Sequence, residues 1–262
     1  MMNRIDKLRE TNPLVVCITN DVVKNFTANG MLAAGISPIM SGEKSEASDL
    51  MKVASGLLIN IGTADTAKCE LMDEMMEEAN KNGVPIVFDP VGYGASEFRT
   101  SITDDLLNRH KVSLIKGNAG EMLALSGAES SLKGVDSTEK RDTLDIAKLV
   151  YRKFKVPVLV TGARDALVTD ENVIMMANGH SLQGKITGSG CLLGALIAAF
   201  IGLEEYFDKE AVVDAASYYN LCAEAAAGKI SIPAPGTFMT TLIDELYLNE
   251  GNLLEDRVVE VF

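Results

Sequence analysis

Five residues, Thr187-Gly188-Ser189-Gly190-Cys191, stand directly before the apolar run 192–203. Glycines at such a point let the backbone turn its N–H groups inward, and a helix start adds partial positive charge. Together they form an anion hole suited to a migrating phosphoryl group. An ordinary turn capping a buried helix accounts for the same five residues, and spacing alone does not separate the two readings. Two better-known phosphate motifs fail. Gly188, Gly190 and Gly194 approach GxGxxG, but the third glycine is one residue late and no βαβ unit surrounds it. Residues 179–185 read GxxxxGK, but Ile186 stands where Ser or Thr should hold Mg²⁺.

Other candidates sit at the ends of apolar runs. Asp89-Pro90-Val91-Gly92 places a carboxylate before a glycine-bearing loop, where it can hold a metal or its waters, or simply stop the strand with an Asx turn. Lys116-Gly117-Asn118-Ala119-Gly120-Glu121 brings an ammonium, an amide and a carboxylate together, suited to phosphate and Mg²⁺. The same Asn118 and Glu121 spacing makes a capping box. Thr161, closing another run, is placed to touch a nucleotide phosphate or to serve as a plain strand exit. Met40, before Ser41-Gly42, lines an apolar pocket or packs in the core. His110 and His180 fall outside these clusters and are assigned no role.

The elements that must position these residues follow a repeating pattern, a short apolar run and then an amphipathic helix. Strands are expected at 14–18, 36–40, 57–61, 85–89, 112–116 and 157–161, with helices at 22–34, 45–54, 64–82 and 144–154. Another helix precedes the strand at 112. Such alternation predicts an α/β fold with a mainly parallel central sheet and helices on both faces. Residues 165–169 and 173–176 read as an antiparallel hairpin at the sheet edge. Helices at 191–203, 209–227 and 237–247 close the chain. Ligands of open α/β sheets bind at the carboxyl ends of the strands, which is where the candidates lie.

Composition narrows the classes. The 262 residues are 47% hydrophobic and 23% charged, enough for a full core and against disorder. We expect one domain over 1–262, although two small ones would fit the length almost as well. The most polar stretch, 126–141, reads as a surface excursion and not a domain boundary. With 24 basic against 37 acidic residues the net charge is −13, which argues against nucleic-acid or anionic-membrane partners. Positive potential for a phosphate must therefore be local. The first 13 residues alternate charges without an apolar segment, and no run reaches the ~20 residues of a membrane span. The cysteines at 17, 69, 191 and 222 are isolated, so neither a zinc site nor a disulfide framework is expected, and a cytoplasmic, reduced protein is.

With these residues in view, the chain resembles the hydroxyethylthiazole kinase family, which is ribokinase-like. The likeness runs through Pro13-Leu14-Val15-Val16-Cys17-Ile18-Thr19-Asn20, Asn25-Phe26-Thr27-Ala28-Asn29-Gly30, Ser37-Pro38-Ile39-Met40 and Asn60-Ile61-Gly62-Thr63. It continues through Asp89-Pro90-Val91-Gly92, Lys116-Gly117-Asn118, Gly188-Ser189-Gly190-Cys191 and Pro235-Gly236-Thr237-Phe238. Each segment is weak alone; in this order they are specific. The resemblance implies ATP-dependent phosphorylation of the alcohol of 4-methyl-5-(2-hydroxyethyl)thiazole, with Mg²⁺. It implies that Met40 and Gly188 contact the thiazole, that Lys116 and Thr161 contact ATP, and that Asp89 and Glu121 serve Mg²⁺. Family members often carry Arg at the Lys116 position, and Lys keeps the charge without the bidentate geometry. A homotrimer with the thiazole pocket near the subunit boundary is also implied.

Most ribokinase-like relatives end the anion-hole motif with Asp, where this chain has Cys191. An unperturbed thiol titrates at about 8.5 and a helix start can lower it. Cys191 is then a weak base or a small residue lining the site. Since phosphoryl transfer depends on positioning and charge stabilisation, the Gly188–Cys191 backbone and Mg²⁺ are expected to contribute more than the thiol. The rivals are a hydroxymethylpyrimidine kinase and an NAD(P)HX dehydratase, both expected to keep Asp at 191, and a catalytically silent thiazole-binding protein, which has no need of metal carboxylates.

Overall fold

In the computed structural model, which describes residues 2–128 and 142–262, the apolar runs become strands. They are β1 (Leu14–Ile18), β2 (Ser37–Ile39), β3 (Gly56–Asn60), β4 (Ile86–Asp89), β5 (Leu114–Asn118) and β6 (Val158–Thr161). Then follow β7 (Asp165–Val168), β8 (Val173–Met176) and β9 (Val259–Val261). They form one sheet in the order β2-β1-β3-β4-β5-β6-β7-β8-β9. Pairing is parallel from β2 to β6 and antiparallel from β6 to β9. The polar stretch expected at 126–141 lies, beyond its first three residues, outside the described residues.

The helices are α1 (Arg4–Thr11), α2 (Lys24–Ala34), α3 (Ala47–Met51), α4 (Thr66–Asn82) and α5 (Glu97–Arg109). After these come α6 (Ala119–Ser126), α7 (Thr143–Phe154), α8 (Ser189–Ile201), α9 (Lys209–Lys229) and α10 (Pro235–Leu248). Local chemistry sets several starts. Asp65 accepts from the Lys68 amide at 2.8 Å to open α4, and Asp142 accepts from Asp145 at 2.9 Å to open α7. α8 is apolar all round and buried at every position except Gly190, as a helix without a polar face must be. It packs against β1, β3, β4, α2 and α9. Each large apolar side chain it buries contributes roughly 1.5–3 kcal/mol.

The antiparallel hairpin β7–β8 lies at that edge of the sheet, and an unexpected strand, β9, pairs outside β8. Two expectations change. The helix expected at 45–54 shrinks to a 3₁₀ turn, Lys44–Glu46, followed by the short α3. The charged N-terminus, given no element, forms α1 with Ile5 and Leu8 buried. Its Arg4 meets Glu204 at 3.0 Å and Asp214 at 2.7 Å, and also pairs with Asp208. None of the described helices is long and apolar enough to cross a membrane.

Strand alternation sorts the core into two faces. Leu58, Val87, Leu114, Leu159 and Leu167 pack with α8. Their immediate neighbours Leu57, Ile59 and Phe88, with Ile115 and Val160, pack in two other clusters. Two residues beyond each of the first four, and two before the last, stand Asn60, Asp89, Lys116, Thr161 and Asp165. The period of two therefore delivers a polar residue from each of five adjacent strands to the same end of the α8 face.

Candidate active site

That row of strand-end residues meets the start of α8. Gly188, its N-cap, has φ +92°, a left-handed conformation in which an L side chain is strained. A Cβ there would also lie 2.9 Å from the Val23 side chain. The N-cap of α8 makes no side-chain cap hydrogen bond, although a helix start leaves its first amides without intrahelical partners. Ser189 Oγ lies 2.9 Å from Tyr219 Oη on α9, which fixes the hydroxyl away from a capping role.

The residues in front of α8 are linked. Lys116 Nζ donates to Asp89 Oδ2 at 3.1 Å and to the Gly190 carbonyl at 2.8 Å. Gly190 permits this approach, since a Cβ there would stand 3.1 Å from Nζ. Asn60 Nδ2 donates to the same Asp89 oxygen at 3.0 Å and to Cys191 Sγ at 3.2 Å. Asn60, Asp89 and Lys116 are buried. Burial acts against the Lys116 charge, but Asp89 beside it prevails and lifts the ammonium above its ordinary value. Burial pushes the Asp89 carboxyl up, opposed by Lys116 and reinforced by Glu121. Burial, together with the Asp89 charge, pushes the Cys191 thiol up to about 12. The depression expected from a helix start is overridden, and the thiol is neutral at pH 7.

These groups open onto a cavity of about 670 Å³, within the range of small-molecule sites. Its wall includes Asp89, Lys116, Glu121, Thr161, Gly188, Ser189, Gly190 and Cys191. Eight of the nine residues singled out from sequence thus converge. Thr161 sits beside Asn118 in the β5–β6 register, with its hydroxyl 3.3 Å from the Gly117 carbonyl. Met40 does not join them. It follows β2, half-buried against the α8 side of the core and outside the cavity wall.

Glu121 completes the capping box of α6 with Asn118, and its other oxygen accepts from Gly92 N at 3.0 Å. The structural and chemical readings of this segment therefore coexist in one side chain. Whether the pair Asp89 and Glu121 suits a divalent cation can be judged from the donors. Both side-chain bonds to Asp89 fall on Oδ2, which leaves Oδ1 for a cation or its water. Among the described residues no group of three or more His, Cys, Asp or Glu could cage a metal. Two carboxylates on the wall of a cavity that also meets the start of α8 fit Mg²⁺, which keeps its waters and uses one or two carboxylates plus substrate phosphates.

Sequence reading assigned no role to several residues here. Asn60 stood inside the strand expected at 57–61 and in the Asn60-Ile61-Gly62-Thr63 segment of the resemblance without a role; in the structure it ends β3 as the direct register partner of Asp89. Across the cavity, Asp165 accepts from Gly162 N and Asn220 Nδ2, both at 2.9 Å, and burial pushes its carboxyl up. Gln183 extends the chain by donating to Asn220 at 3.0 Å. Asn220 and Tyr219 lie on a helix 55 and 30 residues away from their partners, so no local pattern announces them.

Comparison with known proteins agrees with this architecture. The model of the hydroxyethylthiazole kinase family matches residues 5–250. A hydroxyethylthiazole kinase of Staphylococcus aureus (strain MSSA476) is 48% identical over 250 residues, 95% of this chain and 94% of that one. The solved hydroxyethylthiazole kinase of Pyrococcus horikoshii OT3 superposes with TM-score 0.88 at 36% identity, covering 99% of this chain and 97% of the other. A ribokinase-like superfamily protein of Enterococcus faecalis V583 superposes with TM-score 0.64 at 13% identity, over 89% and 86% of the two chains, and bears on the fold alone. The fold is ribokinase-like, and a likeness carried from α1 to the end of α10 joins sequence to architecture: the chain belongs to the hydroxyethylthiazole kinase family.

Proposed function

We propose that this enzyme transfers the γ-phosphoryl group of ATP to the hydroxyl of 4-methyl-5-(2-hydroxyethyl)thiazole, with Mg²⁺ as the assisting cation. The observation that carries the reading is the uncapped start of α8 facing a cavity that also holds Asp89, Lys116 and Glu121. The amides of that turn receive the charge of the migrating phosphoryl group, and the buried Lys116 ammonium adds positive potential from below. Bound Mg²⁺ supplies charge neutralisation on the phosphates, and Asp89 and Glu121 are the residues that would hold it. Thr161, on the cavity wall, is assigned to ATP. Cys191, neutral and buried beside Asp89, lines the path of the alcohol and is not a preformed base. A loose transition state needs little base assistance, so amides and cation outweigh the thiol.

Met40 and Gly188 are assigned to the thiazole. A homotrimer with the thiazole pocket near the subunit boundary belongs to the reading on resemblance alone, and Met40 stands outside the cavity of one chain. One kinase domain spanning 1–262 and a cytoplasmic location belong to the same reading. A coupled ADP-release assay with thiazole and pyrimidine alcohols tests the substrate. Turnover on the thiazole with little on the pyrimidine supports it. Thiazole binding without any turnover would leave a silent binding protein, and preference for the pyrimidine would make it a pyrimidine kinase. Light scattering tests the trimer.

A further inference from the structure

Asn60 is a fully buried polar side chain in a strand whose other residues, Gly56 to Ile59, are apolar. A buried amide costs stability unless its hydrogen bonds are made, so its partners indicate its use. Here the partners fix which end of the amide faces which group. Gly62 N, an obligatory donor, reaches Oδ1 at 2.9 Å, and the Asp89 carboxylate accepts from Nδ2 at 3.0 Å. Nδ2 is therefore the atom that faces Cys191 at 3.2 Å, and sulfur is the acceptor. One amide group spends its hydrogens on two wall residues of the cavity, Asp89 from β4 and Cys191 from α8, while Asn60 itself does not line the wall.

We propose that Asn60 is a positioning residue for phosphoryl transfer, holding the Cys191 sulfur and the Asp89 carboxylate in one fixed relation beside the start of α8. Bonding to Oδ2 turns Oδ1 of Asp89 outward for the cation site. Bonding to sulfur occupies one of its lone pairs, which leaves the thiol hydrogen for an acceptor on the cavity side. Leu58, two residues earlier on the same face, packs equally well without polar atoms, so burial alone does not require an amide at 60.

The inference rests on the kinase reading above, and the experiment separates the two. Asn60→Leu removes both donors at nearly constant volume. Expected results are a fall in kcat of at least about tenfold, with KM for ATP and for the thiazole alcohol within about threefold. Binding of the alcohol to protein free of nucleotide and metal, followed by calorimetry, should stay within the same threefold. In a Cys191→Ala background the effect of Asn60→Leu on kcat should be at least about threefold smaller, because one partner is already gone. Asn60→Ser, which keeps a donor but cannot span both partners, is read the same way if Asn60→Leu does not fold. An unchanged kcat overturns the positioning role, as does an equal effect in both backgrounds. Parallel loss of alcohol binding and kcat also overturns it, making Asn60 a plain scaffold residue. A wild-type enzyme silent on the thiazole overturns the substrate reading and this role with it, whereas an active wild type beside an undiminished Asn60→Leu overturns this role alone.

Discussion

The first turn of α6 closes on itself: Asn118 accepts from Glu121 N at 3.0 Å, and Glu121 accepts from Asn118 N at 3.1 Å. The first turn of α8, at the same cavity, has a glycine N-cap and no side-chain cap. Every helix start leaves four N–H groups without intrahelical partners. α6 answers that demand within its own sequence, and its dipole acts on its own carboxylate. α8 leaves the demand to whatever enters the cavity. The difference separates a helix start satisfied by its own side chains from one whose first turn is left without a side-chain cap at the cavity.

Removing the divalent cation should have the largest effect. Chelation by EDTA is expected to lower kcat/KM by about a thousandfold, restored by Mg²⁺, because only the amides and the Lys116 ammonium then face the phosphate charge. Activity retained in EDTA would leave the α8 turn as the sole anion device and remove Asp89 and Glu121 from the reaction. Next is Gly188→Ala, which forces a Cβ into left-handed backbone at a cost of roughly 1–2 kcal/mol and against Val23 at 2.9 Å. The turn must shift, and kcat is expected to fall about a hundredfold, the scale of losing one preorganised donor.

The opposite pattern is expected of Asn118→Ala. Losing the cap should cost about 1 kcal/mol of stability, seen as a lower Tm, with a smaller loss of kcat than Gly188→Ala. If Asn118→Ala proved the more damaging to kcat, the two helix starts would have to exchange roles. Cys191→Ala is expected to lower kcat/KM less than about tenfold. A loss equal to that of chelation would make the thiol, not the α8 backbone, the main contributor.

A separate effect, on stability and not on turnover, is expected in alkali. Cys191, Cys17 and Cys222 all have thiols raised by burial, Cys191 to about 12. An acid whose folded value lies above its unfolded value gives its full stability below the unfolded value, about 8.5, and loses it as pH rises. Between there and about 12, Cys191 should remove up to about 1.4 kcal/mol per pH unit. Tm measured from pH 8 to 10.5 should fall, and less steeply in Cys191→Ala.

Much of the site was legible because periodicity carries position. Asp89 and Lys116 end runs whose alternation assigns them to one face, and a glycine pair before an apolar helix marks a turn at the cavity. Among the described residues, the strands β1 to β6 were legible for the same reason, whereas the helix expected at 45–54 was overread. β9 was not, since a three-residue strand at 259–261 becomes one only by pairing with β8 some 85 residues earlier in the chain. α1 was hidden by its charges, which proved to be partners for Glu204, Asp208 and Asp214. Asn220, Tyr219 and Gln183 reach the cavity from segments with no local signature of function.

The chain by itself determined the alternation of strand and helix, the polar residue at each inner strand end, and the glycines that open α8, because these depend on φ/ψ preference and on periods of 2 and 3.6. Only the tertiary structure decided that the Lys116 ammonium turns to Asp89 and the Gly190 carbonyl, that Asn60 joins Asp89 to Cys191, that the thiol is raised and not lowered, and that Met40 stays apart from the cavity. Those outcomes depend on desolvation and on charges brought within a few ångströms by strands and helices distant in sequence, and neither quantity exists before the chain has folded.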